Sequence, residues 1–355
     1  MSHRAPRAAD DRSERPEPRV WAPRRNLYRQ RHLFRSDRGE RGHRRLLRGS
    51  GRSEDVLRPG QASGRRRLQG VSQEQAVAGI KVVTDSVSDI PSDLLARYNI
   101  DVVPLDVRLG TEGPKELIGI TPEEFWRRVR ATGAFAETSA PSPGAFMQAF
   151  LRARDEGFDG VCCITFSSAM SSTYQAACLG AKEVQEDVAV RVIDSRWGTM
   201  AEGLLALDAA ERAREVLELD ALCDAVSAQI ATLEAFGALD TLEYLRRGGR
   251  IGSAQAFFGS LFSVKPVITM RNGVIEGESR QRTRARSLRY LADKVAAALP
   301  IRKLAVTHAD AKDIDAFLVL LEPIFPAEKT ITTYIGPVVG AHFGPGTIVV
   351  CFQRG

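Results

Sequence analysis

The chain has 355 residues, 43% of them hydrophobic and 26% charged, with a formal net charge of +6. That length allows two domains with sizeable cores, and the absence of a run of roughly 18 apolar residues excludes a membrane-spanning helix. The positive charge is unevenly placed: residues 1–79 hold 20 Arg, no Lys and 9 acidic side chains, a net +11, whereas the remainder carries 30 basic and 35 acidic side chains, a net −5.

Residues 1–79 have no steady helical or strand period and few apolar side chains. Such a segment buries too little surface to offset chain entropy, so it is expected to be a disordered basic tail. One reading makes it an arm that binds nucleic acid or anionic lipid by counterion release. A transit peptide would be poor in acids, which these residues are not. A third reading is that translation starts later, near Val71, because Arg, Gly, Pro, Ser and Ala bias without Lys is what GC-rich upstream sequence encodes. The mildly acidic remainder makes nucleic acid an unlikely partner for the folded part. The N-terminus has no apolar secretory core. Cys162, Cys163, Cys178, Cys223 and Cys351 have no metal-ligand spacing and read as reduced thiols of a cytoplasmic protein.

At Ile80 the pattern changes. IKVVT is a short apolar strand ending at Asp85-Ser86, and Pro91 suits the first turn of a helix through SDLLARY. IDVVPLDVRL is extended. Thr121-Pro122-Glu123-Glu124 has the form of a capping box, with Thr121 as N-cap and Glu124 three residues on. Ser142-Pro143 opens the helix GAFMQAFLRARDEG, which Gly157 closes. GVCCITF then reads as a strand, STYQAACLGAKEV as a helix, VAVRVID as a strand and MAEGLLALDAAERAREVL as a long helix. Strands apolar on both faces that alternate with helices predict a parallel sheet covered on two sides, a first α/β domain over 80–232.

The second half predicts a helix over ALCDAVSAQIATLEAF, another stopped at Gly248-Gly249, and a hairpin turned by Asn272-Gly273. A helix, a strand, a helix and two further strands follow, so 233–355 is expected to be a second α/β domain with a mixed sheet. Between the last two strands lies TYIGPVVGAHFGPG, whose glycines and prolines predict that His342 is held in a loop.

In open parallel sheets ligands bind outside the carboxyl ends of the strands. Those ends are rich in hydroxyls: Thr84-Asp85-Ser86, Thr138-Ser139 ahead of Ser142, Ser167-Ser168 with Ser171-Ser172-Thr173, and Asp194-Ser195. Singly, each is an ordinary cap or turn residue. Together they place neutral donors and helix N-termini at one sheet edge, which suits a carboxylate or phosphate. His342, and Arg250 in RRGGRIGS, would add donors from the second domain. The sequence lacks a P-loop, a G-x-G-x-x-G after the first strand, a G-x-S-x-G elbow and a zinc-binding spacing. A Ser171–His342–Asp85 triad can be drawn, but no spacing supports it. Phe257, Phe258, Leu261 and Phe262, in one amphipathic stretch ahead of the strand that holds Ile268, form either core or the wall of an apolar pocket.

Taken in order, KVVTDSVSDIPSDLLARYNIDVVPL, TSAPSPGAF, SSAMSSTYQAA, VIDSRWGTMAEGLLALDAA, DTLEYLRRGGRIGSAQAFFGSLFSVKPVIT and IGPVVGAHFGPG resemble the DegV family of fatty-acid-binding proteins over essentially all of 80–352. The resemblance implies two α/β domains enclosing one long-chain fatty acid as ligand, with no other cofactor. It also implies a separate ATP-dependent fatty-acid kinase subunit as partner, to which the acid is presented for acyl-phosphate formation in phospholipid metabolism. By motif, Thr138 and Ser171 would hold the carboxylate, with Ser139 and Ser172 beside them, His342 approaching it and Arg250 nearby; Phe257, Phe258, Leu261 and Ile268 would line the acyl chain. Ala140 stands where the family usually has Gln, Ala169 and Ser172 replace usual glycines, and Phe343 stands where Thr is common. The competing expectation is a Ser/His hydrolase or acyltransferase acting directly on lipid.

Overall fold

The computed structural model describes residues 79–111, 120–257 and 264–355. The basic tail of residues 1–78 lies outside them.

The first lobe begins with β1 (Ile80–Asp85), α1 (Ser92–Tyr98), β2 (Asp101–Val103) and β3 (Asp106–Leu109). After α2 (Pro122–Thr132) and β4 (Ala136–Ser139) come α3 (Pro143–Asp155), β5 (Gly160–Thr165), α4 (Thr173–Glu183) and β6 (Ala189–Asp194). Among the described residues, four of these strands make a parallel sheet ordered β2-β1-β5-β6, while β3 and β4 pair antiparallel in a separate ribbon. β1 and β5 are buried throughout: β5 is apolar along nearly all its length, whereas β1 buries Lys81 as well, its ammonium paired with Asp101 and Glu156. β6 departs from that pattern. It is one of the two sheet edges, and of its residues only Ile193 is buried, the others being exposed or half-covered, because only one side has a strand neighbour.

Capping follows local chemistry closely. Thr121 accepts a hydrogen bond from the Glu124 N–H, and Ser142 accepts one from the Ala145 N–H, with proline in the first turn of each helix. The reciprocal half of the box at Thr121 is not made, because the Glu124 carboxylate is taken by Arg127 and Arg128.

α5 (Thr199–Arg212) and α6 (Leu219–Gln229) lead into the second lobe. α5 is buried continuously from Thr199 to Ala210 and touches β1 and β5 on one side. On its other side it meets three strands of the second sheet, so the lobes share core across this helix; a helix buried all round belongs in such a place, although it carries the buried acids Glu202 and Asp208.

The second lobe comprises β7 (Leu233–Ala238), α7 (Glu243–Arg247), β8 (Lys265–Arg271), β9 (Val274–Gln281), α8 (Arg284–Ala297) and β10 (Ile301–His308). It is completed by α9 (Ile314–Leu321), β11 (Thr330–Tyr334), α10 (Pro337–Phe343) and β12 (Ile348–Arg354). Its six-stranded sheet is mixed, ordered β11-β10-β12-β7-β8-β9, with β10 and β12 facing α5. Asn272 and Gly273 take φ of 52° and 82° in the β8–β9 turn, as a tight hairpin demands.

Two sequence expectations are corrected here. The helix read over residues 221–236 ends at Gln229, and Leu233–Ala238 is a strand set between β12 and β8. Leu, Glu and Ala favour helix locally, but a central slot bonded on both edges outweighs that preference. His342 lies in a helix, not a loop. Gly336 caps α10, Pro337 occupies its first turn where its missing N–H costs nothing, and Gly344 at φ 76° ends it. Gly340 sits inside the helix because a Cβ there would come 2.6 Å from the Trp126 ring.

Candidate functional site

The loops beyond β1, β5 and β6 are knitted together by carboxylates. Asp85 accepts from the N–H of Val87 through Oδ1 and from that of Phe166 through Oδ2, at 2.9 and 2.8 Å. Its burial pushes the carboxyl up to about 6 despite those two donors. Asp194 accepts from the Ser168 N–H and hydroxyl. Ser167 donates to the Gly273 carbonyl at 2.7 Å, which pins the tip of the β8–β9 hairpin onto the first lobe. These hydroxyls are thus occupied by structure.

A different set is left facing the space between the lobes. Thr138, Ser139, Ser171, Arg250 and His342 line one cavity with about 650 Å³ of empty space, open solvent at its mouth included. The rest of its lining is mainly apolar and comes from both lobes, including Val87, Phe166 and Met170 from the first and Met270, Ile275 and Val338 from the second. The wall is thus mainly apolar, and its polar side chains include the pair Thr138 and His342.

The polar contacts are specific. Thr138 Oγ1 lies 2.9 Å from His342 Nε2. Ser171 Oγ lies 2.8 Å from Thr173 Oγ1. Arg250, half-buried, donates from its guanidinium to the main-chain oxygens of Gly248 and Met170, and among the described residues its charge meets no carboxylate. His342 is held neutral at ordinary pH: desolvation, and then the charge of Arg250, lower its pKa to about 4. Its Nδ1 is buried without a hydrogen-bond partner among the described residues and packs against Gly248, where a Cβ would overlap the ring.

The remaining candidates lie elsewhere. Ser172 is exposed at the start of α4 and is not among the cavity-lining residues. Ile268 is buried in the cluster behind the wall, with Met170, Met270 and Ile275, and does not line the cavity itself. Phe258, Leu261, Phe262 and the side chain of Phe257 lie outside the described residues. The paper triad is not assembled: His342 Nε2 meets Thr138, Ser171 meets Thr173, and both Asp85 oxygens serve main-chain N–H groups.

Sequence reasoning missed Thr199 and Asp89. Thr199, the first residue of α5, lines the cavity at φ 49°, a strained conformation for a β-branched residue. Its hydroxyl donates to Asp89 Oδ2 at 2.7 Å, and Asp89 Oδ1 accepts from the Gly336 N–H at 2.9 Å. A conserved-looking local pattern could not expose this link, since its partners are over 100 residues apart; the one local sign was Gly198 ahead of the helix. Among the described residues, no group of three or more His, Cys, Asp or Glu is placed to hold a metal ion, and no helix is long and apolar enough to cross a membrane.

Fold and cavity together define a two-lobed α/β protein with an amphiphilic interlobe pocket. The chain belongs to the DegV family, whose model, described as that of an uncharacterised protein, matches residues 79–355. A DegV domain-containing protein of Listeria monocytogenes is 33% identical over 273 residues, covering 76% of this chain and 96% of that protein. The structure of a DegV family protein from Thermus thermophilus, described for its fatty acid binding, is 32% identical with a TM-score of 0.67, covering 78% of this chain and 99% of that one. Bacillus subtilis DegV, described as a fatty acid binding protein, gives a TM-score of 0.70 at 29% identity, with 78% and 100% covered.

Proposed function

We propose that this chain binds one long-chain fatty acid between lobes divided near Leu233 and presents its carboxylate to a separate ATP-dependent kinase, in the cytoplasm. The observation that carries the reading is a set of polar side chains in a mainly apolar cavity wall: Thr138 with His342, Ser171, and an Arg250 that meets no carboxylate among the described residues. Ser139 is an exposed member of the same wall. The described fatty acid binding of the Thermus and Bacillus relatives supports the same ligand class.

The physical chemistry divides the work. Burying about 14 methylenes at ~0.8 kcal/mol each supplies roughly 11 kcal/mol before the entropy of association is subtracted. A carboxylate taken out of water would cancel that gain unless donors meet it. Hydroxyls and one guanidinium do so, while neutral His342 avoids a second buried charge. In the transfer step one carboxylate oxygen attacks the γ-phosphorus of ATP, the bond to the β-phosphate oxygen breaks and ADP leaves. The nucleophile is already ionised, so this chain needs no general base of its own. Its cysteines are free thiols, in keeping with a reducing compartment.

Lipid extraction of the purified protein followed by mass spectrometry tests the reading. One long-chain fatty acid per chain, converted to acyl phosphate when a fatty-acid kinase and ATP are added, is the expected result. Absence of bound lipid, together with ester hydrolysis abolished by Ser171→Ala, would establish the hydrolase instead.

A further inference from the structure

Asp89 occupies an unusual position. It lies just beyond β1 at φ 51°, and its carboxylate joins three elements at the edge of the cavity: the β1 loop, the start of α5 through Thr199, and the start of α10 through the Gly336 N–H. A Cβ on Gly336 would come 2.8 Å from Asp89 Oδ1, so the glycine is what lets the helix start approach so closely. Thr199 in turn lines the cavity and lies 3.2 Å from the Thr307 hydroxyl. One hydroxyl therefore separates the Asp89 carboxylate from the proposed head-group cavity.

The charged and titratable neighbours make ionisation unfavourable. Asp85 acts on Asp89 from the end of β1, and Asp89 acts in turn on Glu202 of α5 and Cys351 of β12. From α10 a main-chain N–H reaches it, and the Thr307 hydroxyl stands beyond Thr199 on β10, followed by His308. The cavity itself carries His342 and Arg250. Among the described residues no cation is recorded as paired with Asp89. Desolvation pushes its carboxyl up to about 7, against the pull of the Thr199 and Gly336 donors.

We infer that Asp89 is the proton acceptor of the head-group cavity: when an anionic head group enters, Asp89 takes up one proton, and ionised Asp89 opposes loading. The reason is the single hydrogen on Thr199 Oγ1. While Asp89 is a carboxylate, that hydrogen points to Oδ2, and the lone pairs of the hydroxyl are what remain for the cavity. After protonation the new Asp89 O–H donates to Thr199 Oγ1, and the threonine hydrogen is released to an acceptor in the cavity or to Thr307. One added proton thus removes a buried negative charge next to an incoming one and turns an acceptor into a donor. Coupling of this kind is reciprocal, so what favours the proton favours the anion. The inference rests on the head-group reading above and assigns to Asp89 a positioning role for Thr199.

Calorimetry of oleate binding at submicellar concentration tests it, with the full chain at pH 7–8.5 in phosphate and in Tris, whose ionisation enthalpies differ. Wild-type protein is expected to take up a proton on binding and to lose affinity by up to about tenfold per pH unit above 7, the limit for one linked proton. Asp89→Asn should bind with no proton uptake and a flat pH dependence. Its amide donates to Thr199 and its carbonyl accepts from Gly336, which reproduces the protonated pattern. Thr199→Val, which removes the relay hydroxyl and keeps the shape, should also flatten the profile. Proton uptake that persists unchanged in Asp89→Asn would overturn the inference and move the proton to another group such as His342. Wild-type binding without proton uptake would overturn it while leaving the fatty-acid reading intact; no oleate binding at all would remove both.

Discussion

Thr138 Oγ1 and His342 Nε2 are 2.9 Å apart although 204 residues separate them. The contact joins the small β3–β4 ribbon of the first lobe to α10 of the second, and both side chains line the cavity. Thr138→Val removes the hydroxyl at nearly constant volume. It is expected to weaken fatty-acid binding by roughly tenfold or more, from the ~1.5–3 kcal/mol carried by a hydrogen bond to a charged group. His342→Ala should behave similarly. A fluorescent fatty-acid displacement titration measures both, and unchanged affinity in both would remove this pair from the head-group site.

Gly248→Ala tests the imidazole's position without altering a polar group. The added methyl overlaps the His342 ring at its Nδ1 edge, so the ring must swing from Thr138. The expected outcome is an affinity loss comparable to that of His342→Ala, with about 1–3 kcal/mol of destabilisation from overpacking. Chemical denaturation and the same displacement titration separate the two effects.

The start of α10 also hangs on Trp126, whose ring N–H donates to the Ile335 carbonyl at 2.9 Å in a fully buried setting. Trp126→Phe retains an aromatic ring against Gly340 but leaves that carbonyl unpaired. A destabilisation of about 1–3 kcal/mol is expected, read from the urea midpoint. Full stability would mean that the bond is replaced by water.

Glu202 predicts a pH dependence. It is buried on α5 with one oxygen on the Thr84 hydroxyl and the other without a partner among the described residues, and desolvation raises its pKa well above the ordinary value of 4.5. Above pH 4.5 the unfolded chain ionises Glu202 while the fold keeps it neutral. Folded protein then binds more protons than unfolded, and stability falls as pH rises. Glu202→Gln is neutral in both states. Its stability relative to wild type should therefore rise between pH 5 and 8, by at most about 1.4 kcal/mol per pH unit for one proton. Parallel stability curves for the two proteins would show that Glu202 does not titrate in this way.

Much of this architecture is legible locally. β1 and β5 announce themselves as short, largely apolar runs, Thr121 and Ser142 as caps before proline, and Asn272-Gly273 as a tight turn. Each depends on interactions within a few residues, so a local pattern suffices. β7 was hidden because Leu, Glu and Ala favour helix, and α10 because its Pro and Gly resemble loop punctuation. In both cases a long-range surface decides: the slot between β12 and β8 for one, the Trp126 ring for the other.

The site divides in the same way. Thr138, Ser171, Arg250 and His342 could be picked out from hydroxyl-rich strand ends and from motifs, whereas Asp89 and Thr199 could not. Neither Ser172 nor Ile268 could be separated from true lining residues, because their environments are set by which way α4 and β8 face.

By itself, then, the amino-acid order determined most element types, though not β7 or α10, together with the layered α/β class and the chemical kinds of side chain available at the strand ends. Only the tertiary structure decided which of those side chains meet. Periodicity and capping are energies of near neighbours, whereas a cavity arises where two sheets share α5 and leave a gap whose walls lie hundreds of residues apart in the chain.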